Sequence, residues 1–203
     1  MFASALDWPG WSRAGRDQDK ALEALATAGP RYAMVASVAG VPFPAAQAFE
    51  VVERLPGSGS TEFGVPGAIG ARDLEPLDAA EAERMCTLVQ ACWAVFDSIV
   101  AGSPAELRKG PRGGGRDRDK IVEHVLMAEV AYAVKLGLRL SPVKYGDAAA
   151  VSTFRQTVVE TLQCPVAPDT SPPKGRWPAR YAARRIAWHV LDHGWEIEDR
   201  ASA

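Results

Sequence analysis

The sequence predicts a mainly α-helical protein: an antiparallel four-helix bundle over residues 73–203, preceded by a small α+β segment over residues 1–72. Three observations carry this. The last two thirds of the chain hold four long segments whose apolar residues recur at spacings of three and four. Each segment is bounded by start or stop chemistry. The chain has 203 residues, 47% apolar and 24% charged, a globular composition with enough length for a real core.

The first segment is read from short signals. Residues 2–6 form an apolar run, Asp7-Trp8-Pro9-Gly10 is turn chemistry, and residues 17–28 place Ala21, Leu22, Leu25 and Ala28 at helical spacing. Residues 49–55 read as a strand. Gly57-Ser58-Gly59-Ser60 and the Pro/Gly-rich residues 63–70 form a boundary with too little periodicity for another regular element.

The bundle helices follow in order. Asp78 with Glu81 reads as a capping box, and Met85, Leu88, Val89, Cys92, Phe96 and Ile99 continue at helical spacing until Gly102 and Pro104. A second helix spans about residues 117–136, stopped by Gly137, with Ile121, His124, Val125, Ala128, Ala131 and Tyr132 as one stripe. The third starts near Asp147 and ends before Pro165. Pro165, Pro168, Pro172 and Pro173 make a stiff loop, and Pro178 suits the first position of a fourth helix that runs to about Asp199.

Charge and targeting bound the function. With 23 basic and 25 acidic residues the net charge is −2, and the pI near 6 excludes the broad basic footprint of a nucleic-acid binder. The start MFASALDWPG lacks the basic and apolar regions of a signal peptide, and no continuous apolar run approaches about 18 residues, so the expectation is a cytoplasmic protein without a membrane. Arg176, Arg180 and Arg184 form a stripe that reads as an exposed face, with an interface and a homodimer left open. Cys86 and Cys92 point about 240° apart on a helix and cannot clasp one ion. They and Cys164 read as reduced core or semi-core thiols. No Ser/His/Asp or Cys/His triad assembles, because neither GxSxG nor a reactive-cysteine motif occurs.

The chain has three histidines. His189 and His193 stand four residues apart on the fourth helix, about 40° apart around its axis, on the side of Ala182, Ile186 and Ile197. Two imidazoles on an apolar stripe are costly unless a cation sits between them. His124 lies on the stripe of another helix, seven residues from its start, and His193 lies seven before Arg200. Antiparallel packing would therefore put the two at one level, about 10 Å from the helix ends. Three imidazoles leave positions open for water or substrate, as in a catalytic site; zinc is the default, with nickel or iron as alternatives. Glu196 projects close to the direction of His189 and reads as a partner of a ligand, a fourth ligand or a general base. Trp188 and Trp195 flank the site.

These residues resemble the DinB/YfiT-like superfamily of four-helix metal-binding proteins, which includes thiol-dependent transferases and the bundle domain of mycothiol-dependent maleylpyruvate isomerases. The family pattern is a histidine early in the second helix, followed by an acidic residue, and a His-x3-His pair in the fourth. Glu123-His124-Val125-Leu126-Met127-Ala128-Glu129 is similar to the first element, and Trp188-His189-Val190-Leu191-Asp192-His193 to the second. The resemblance covers about residues 77–200. It implies that the second and third helices run side by side in parallel, a crossover for which residues 138–146 provide about 30 Å. After His193 the chain has Gly194-Trp195-Glu196 where many relatives carry further His and Arg, so their substrate contacts there do not transfer. Residues 2–38 resemble a HicB-like antitoxin half-unit: strand, turn, polar strand and an Ala/Glu-rich helix.

Gly110-Pro111-Arg112-Gly113-Gly114-Gly115-Arg116 precedes the second helix without the ending of a P-loop. Arg112 or Arg116 is expected to hold a carboxylate of a substrate or of a low-molecular-weight thiol. The reading is a metal-dependent hydrolase or thiol-dependent transferase acting on a small molecule. The competing reading is a non-enzymatic binding or regulatory protein whose HicB-like segment contacts a partner and whose histidines are a core cluster.

Overall fold

A computed structural model describes residues 1–44, 48–57, 59–110, 113–164 and 174–201. The chain is mainly helical, with one small antiparallel sheet near its N-terminus. In the N-terminal segment β1 (Phe2–Ser4) pairs with β2 (Ser12–Ala14), and α1 (Gln18–Thr27) and α2 (Gly29–Val38) follow. Asp17 caps α1 through the backbone N–H of Lys20. The second of these helices follows α1 with only Ala28 between them, and Gly29-Pro30 at its start looks like a stop in sequence. Residues 49–55 form no strand. The Gly/Ser boundary contains the one-turn helix α3 (Gly59–Glu62), and α4 (Ala71–Leu74) follows the Pro/Gly-rich stretch.

Four long helices come next. The capping box of α5 (Ala79–Gly102) forms as its residues require: Asp78 accepts from the Glu81 N–H at 2.8 Å, and Glu81 accepts from the Asp78 N–H at 3.4 Å. This helix is long and apolar enough to cross a membrane, although it holds no continuous apolar run of that length. Of its most apolar window 56% is buried inside the protein, as in a core helix. Helix α6 (Arg118–Leu136) ends at Gly137, whose φ of 100° only glycine adopts freely. Its buried face is Ile121, Val122, Val125, Leu126, Glu129 and Ala133; Ala131, placed on the stripe by spacing, is exposed, while His124, Ala128 and Tyr132 are half-buried. The contact face is therefore rotated toward Val122 and Leu126, and His124 stands at its edge. Asp147 caps α7 (Ala148–Gln163) through the Ala150 N–H. Pro165, Pro168, Pro172 and Pro173 lie outside the described residues. Pro178 leads α8 (Ala179–Ala201), where its carbonyl accepts the Ala182 N–H.

Helix α8 packs on α5, α6 and α4, and α7 packs on α5. The contacts give the directions. Arg180 meets Glu81 and Gly194 meets Phe96, so α5 and α8 run the same way. Arg176 donates to the Val134 carbonyl, and His124 meets His189 and His193, so α6 runs opposite to α8. Cys86 reaches Val159 and Asp97 reaches Arg155, so α7 runs opposite to α5 and in the same sense as α6. Gly194 makes the α5–α8 approach close: a Cβ there would stand 3.3 Å from Phe96 Cδ2.

The N-terminal segment wraps the far side of α8. Trp11 donates to the Leu25 carbonyl at 2.8 Å, Tyr32 donates to the Pro9 carbonyl at 2.7 Å, and the two rings stack. Gly10, at φ 95°, lets the turn press on the helix, since a Cβ would come within 2.8 Å of Leu191. Arg13 pairs with Asp192 at 3.2 Å and Arg31 with Asp199 at 3.0 Å, and both guanidinium groups lie over the Trp195 ring.

The arginine stripe is not an exposed face. Arg180 and Arg184 are mostly buried: Arg180 bonds Glu81 at 2.7 Å, and Arg184 is bidentate on Asp73, itself 3% exposed. Arg176 remains exposed on the Val134 carbonyl. Asp73 also accepts the Gly70 N–H at 2.9 Å, so one carboxylate closes α4 and anchors it to α8. Removing it leaves a buried guanidinium uncompensated. Asp73→Ala is expected to lower unfolding stability by about 3–5 kcal/mol in urea titrations, and Asp73→Ala with Arg184→Met to recover part of that loss.

Candidate metal centre

His124 comes from the first half of α6, His189 from the middle of α8 and His193 from the turn after it; the opposite helix directions bring them to one level. Ring centroids are 5.2 Å apart for His124 and His189, 4.9 Å for His124 and His193, and 4.7 Å for His189 and His193. One nitrogen from each lies within 4.8 Å of the others. Nitrogens sharing one tetrahedral zinc at about 2.0–2.1 Å stand about 3.4 Å apart, so small side-chain rotations complete the set.

The electrostatics favour neutral donors. Burial, then His193, Arg185 and His124, push the His189 imidazole down to about 2. Burial, then His193 and Arg116, lower His124 against the opposing pull of Glu196. Rings that resist protonation keep their lone pairs available. His189 Nδ1 is buried without a hydrogen-bond partner, a costly state for a polar atom that a bound cation or a water relieves. The donor set therefore fits a divalent ion that accepts imidazole.

Glu196 does not join the three nitrogens. Its Oε2 accepts from His193 Nδ1 at 2.8 Å and its Oε1 from Arg200 Nη1 at 2.7 Å. The bond from His193, then that from Arg200, hold its carboxyl below the usual carboxylate range against burial. With Nδ1–H committed to a carboxylate, His193 presents Nε2 to the other rings. Arg200 is the residue the sequence reading missed; its i,i+4 spacing from Glu196 was the available signal.

The inner wall is aromatic and cationic. The Tyr132 ring stands edge-on to His189 at 5.6 Å, and Arg185, 8% exposed, lies over the rings of Trp188 and Tyr132 at 4.6 and 5.0 Å. Trp188 touches the site as expected, at 6.2 Å from His189, whereas Trp195 turns to Arg13 and Arg31 on the other side of α8. At the outer rim Arg116 is exposed and near enough to depress His124, and Arg112 lies outside the described residues.

Glu129, the acidic residue following His124, is elsewhere. It is 2% exposed, accepts from the Trp93 indole N–H and sits 4.0 Å from Arg155, which is bidentate on Asp97. Cys86 and Cys92 are buried and Cys164 is exposed, so the last is not a core thiol. Burial pushes the Cys86 thiol up to about 11 and raises Cys92 further, leaving both inert.

No protein-family model, curated protein or solved structure matches the chain.

Burial pushes the Glu129 carboxyl up to about 7 from an ordinary 4.5, against Arg155 and the Trp93 bond. A raised carboxyl stabilises the fold below the unfolded value, and that contribution is lost as pH rises through the folded value. Glu129→Gln, which cannot titrate, is expected to flatten the stability loss between about pH 4.5 and 7 and to be on the order of 2 kcal/mol more stable than the parent at pH 8. Urea unfolding at pH 5 and pH 8 measures it.

Proposed function

We propose that this chain is a metal-dependent enzyme of the DinB/YfiT-like type, with α5 to α8 as its four-helix bundle and His124, His189 and His193 holding one divalent ion. Zinc is the default, with nickel or iron as alternatives. The observation that carries the reading is the convergence of three imidazoles from two oppositely directed helices, their nitrogens within 4.8 Å. The helix directions add support: α6 and α7 share one sense and α5 and α8 the other, the arrangement the resemblance implies.

The bound ion would supply Lewis-acid activation of water or of a small thiol at a position the three histidines leave open. Glu196 fixes the tautomer and orientation of His193 rather than acting as a base, because both its oxygens are engaged. Tyr132, Trp188 and Arg185 close the inner side, so substrate enters from the rim where Arg116 stands and can pair with an anionic group. A reacting thiol would come from solution rather than from Cys86 or Cys92, which are buried. The reaction is thus hydrolysis or thiol transfer on a small molecule in the cytoplasm.

Metal analysis tests the centre. Untagged protein purified without chelator is expected to carry about one divalent ion per chain, and His189→Ala to reduce this to near zero. Negligible metal in the parent, together with unchanged thermal stability of His189→Ala, would refute the reading. Catalytic use has its own test: the visible spectrum of the cobalt-substituted protein is expected to shift when a small thiol or azide is added. A spectrum indifferent to both would make the site structural.

A further inference from the structure

The glycine/arginine stretch before α6 is tied to the C-terminus of α8 by reciprocal bonds. The Arg108 N–H donates to the Arg200 carbonyl at 3.1 Å, Arg200 Nε donates to the Arg108 carbonyl at 3.0 Å, and Arg108 Nη2 donates to the Asp199 carbonyl at 3.0 Å. From the other side Gly115 lies against the same guanidinium. Its φ is 118°, and a Cβ there would stand 2.7 Å from Arg200 Nη2 and 3.0 Å from Cζ. Lys109 pins the strand of loop that carries Gly115 through its carbonyl, at 3.4 Å, and through Asp117. The Arg200 side chain, only 15% exposed, is thereby held in one pose, and in that pose Nη1 meets Glu196.

We infer that Arg200 and Gly115 are positioning residues of the metal centre, acting through Glu196 on His193. The inference rests on the metal-centre reading above. The chain of contacts is continuous: loop backbone, guanidinium, carboxylate and imidazole Nδ1–H, which leaves Nε2 as the nitrogen available to an ion. Glutamate has rotamer freedom that one hydrogen bond to a histidine does not remove, and Arg200 removes it from the far side. Gly115 suits this place because any other residue at its φ is strained, and a Cβ there would push on the end of the Arg200 side chain. The part of this loop around Gly115 thus sets ligand geometry, and with it metal affinity.

Zinc competition with a chromophoric chelator tests this on Arg200→Met, Gly115→Ala, Glu196→Gln and the double variant Arg200→Met/Glu196→Gln, with thermal unfolding of each metal-free protein alongside. Arg200→Met and Gly115→Ala are expected to weaken zinc by about 10-fold, Glu196→Gln by about 10- to 100-fold, and the double variant no more than Glu196→Gln alone. Arg200→Lys is expected to recover part of the affinity, and cobalt spectra of the weakened variants to differ from the parent. If the parent binds no zinc, the metal-centre reading itself falls. If it binds and the folded Arg200 and Gly115 variants bind equally well, or if the Arg200 and Glu196 effects multiply, the positioning role is overturned. Should Arg200→Met fail to fold, Gly115→Ala decides alone.

Discussion

Helix α8 carries eight charged residues between Arg180 and Arg200, yet it lies in the middle of the molecule, and the other elements are arranged around that conflict. A charge removed from water without a partner is costly enough to unfold a small domain. Most of these charges are met by a group from a different part of the chain: Arg180 by Glu81 of α5, Arg184 by Asp73 of α4, Asp192 by Arg13 of β2, Glu198 and Asp199 by Arg31 of α2. Arg185 is met by aromatic faces. The N-terminal segment is held by these pairs as well as by its Trp11–Tyr32 core.

The same burial prepares the histidines. On an exposed helix His189 and His193 would take up protons near neutral pH and repel one another. Beneath Tyr132 and Trp188, with Arg185 one turn away, protonation of His189 is suppressed, and its Nδ1 lacks a partner. Neutral imidazole is the form that binds a metal ion. The site is thus electron-rich at the centre and cationic around it, through Arg185 inside, Arg200 behind Glu196 and Arg116 at the rim. The imidazoles are the groups that could hold a cation, and the arginines, which disfavour positive charge there, are the groups that could attract anionic ones.

Local chemistry made much of this legible in the sequence. Asp78 with Glu81, Asp147 and Gly137 mark helix ends by short-range bonds, and those ends lie where their residues place them. The grouping of His124 with His189 and His193 followed from one assumption about helix direction. What failed depended on long-range partners. Arg180 and Arg184 look like a solvated stripe until Asp73 and Glu81 are brought beside them, and Ala131 looks buried until α6 is turned so that Val122, Leu126 and Glu129 face α5 and α7. Glu196 allowed three roles because its fate is decided by Arg200, and Arg200 in turn by the loop around Gly115. Residues 49–55 have strand composition and no partner strand to pair with.

In the proposed centre three imidazoles from two helices form one metal-binding set. X-ray absorption on the zinc-loaded protein addresses it most directly. The expected shell contains three imidazole nitrogens at about 2.0 Å, with one further light atom and no sulfur. Fewer than three imidazoles, or a sulfur ligand, would contradict it.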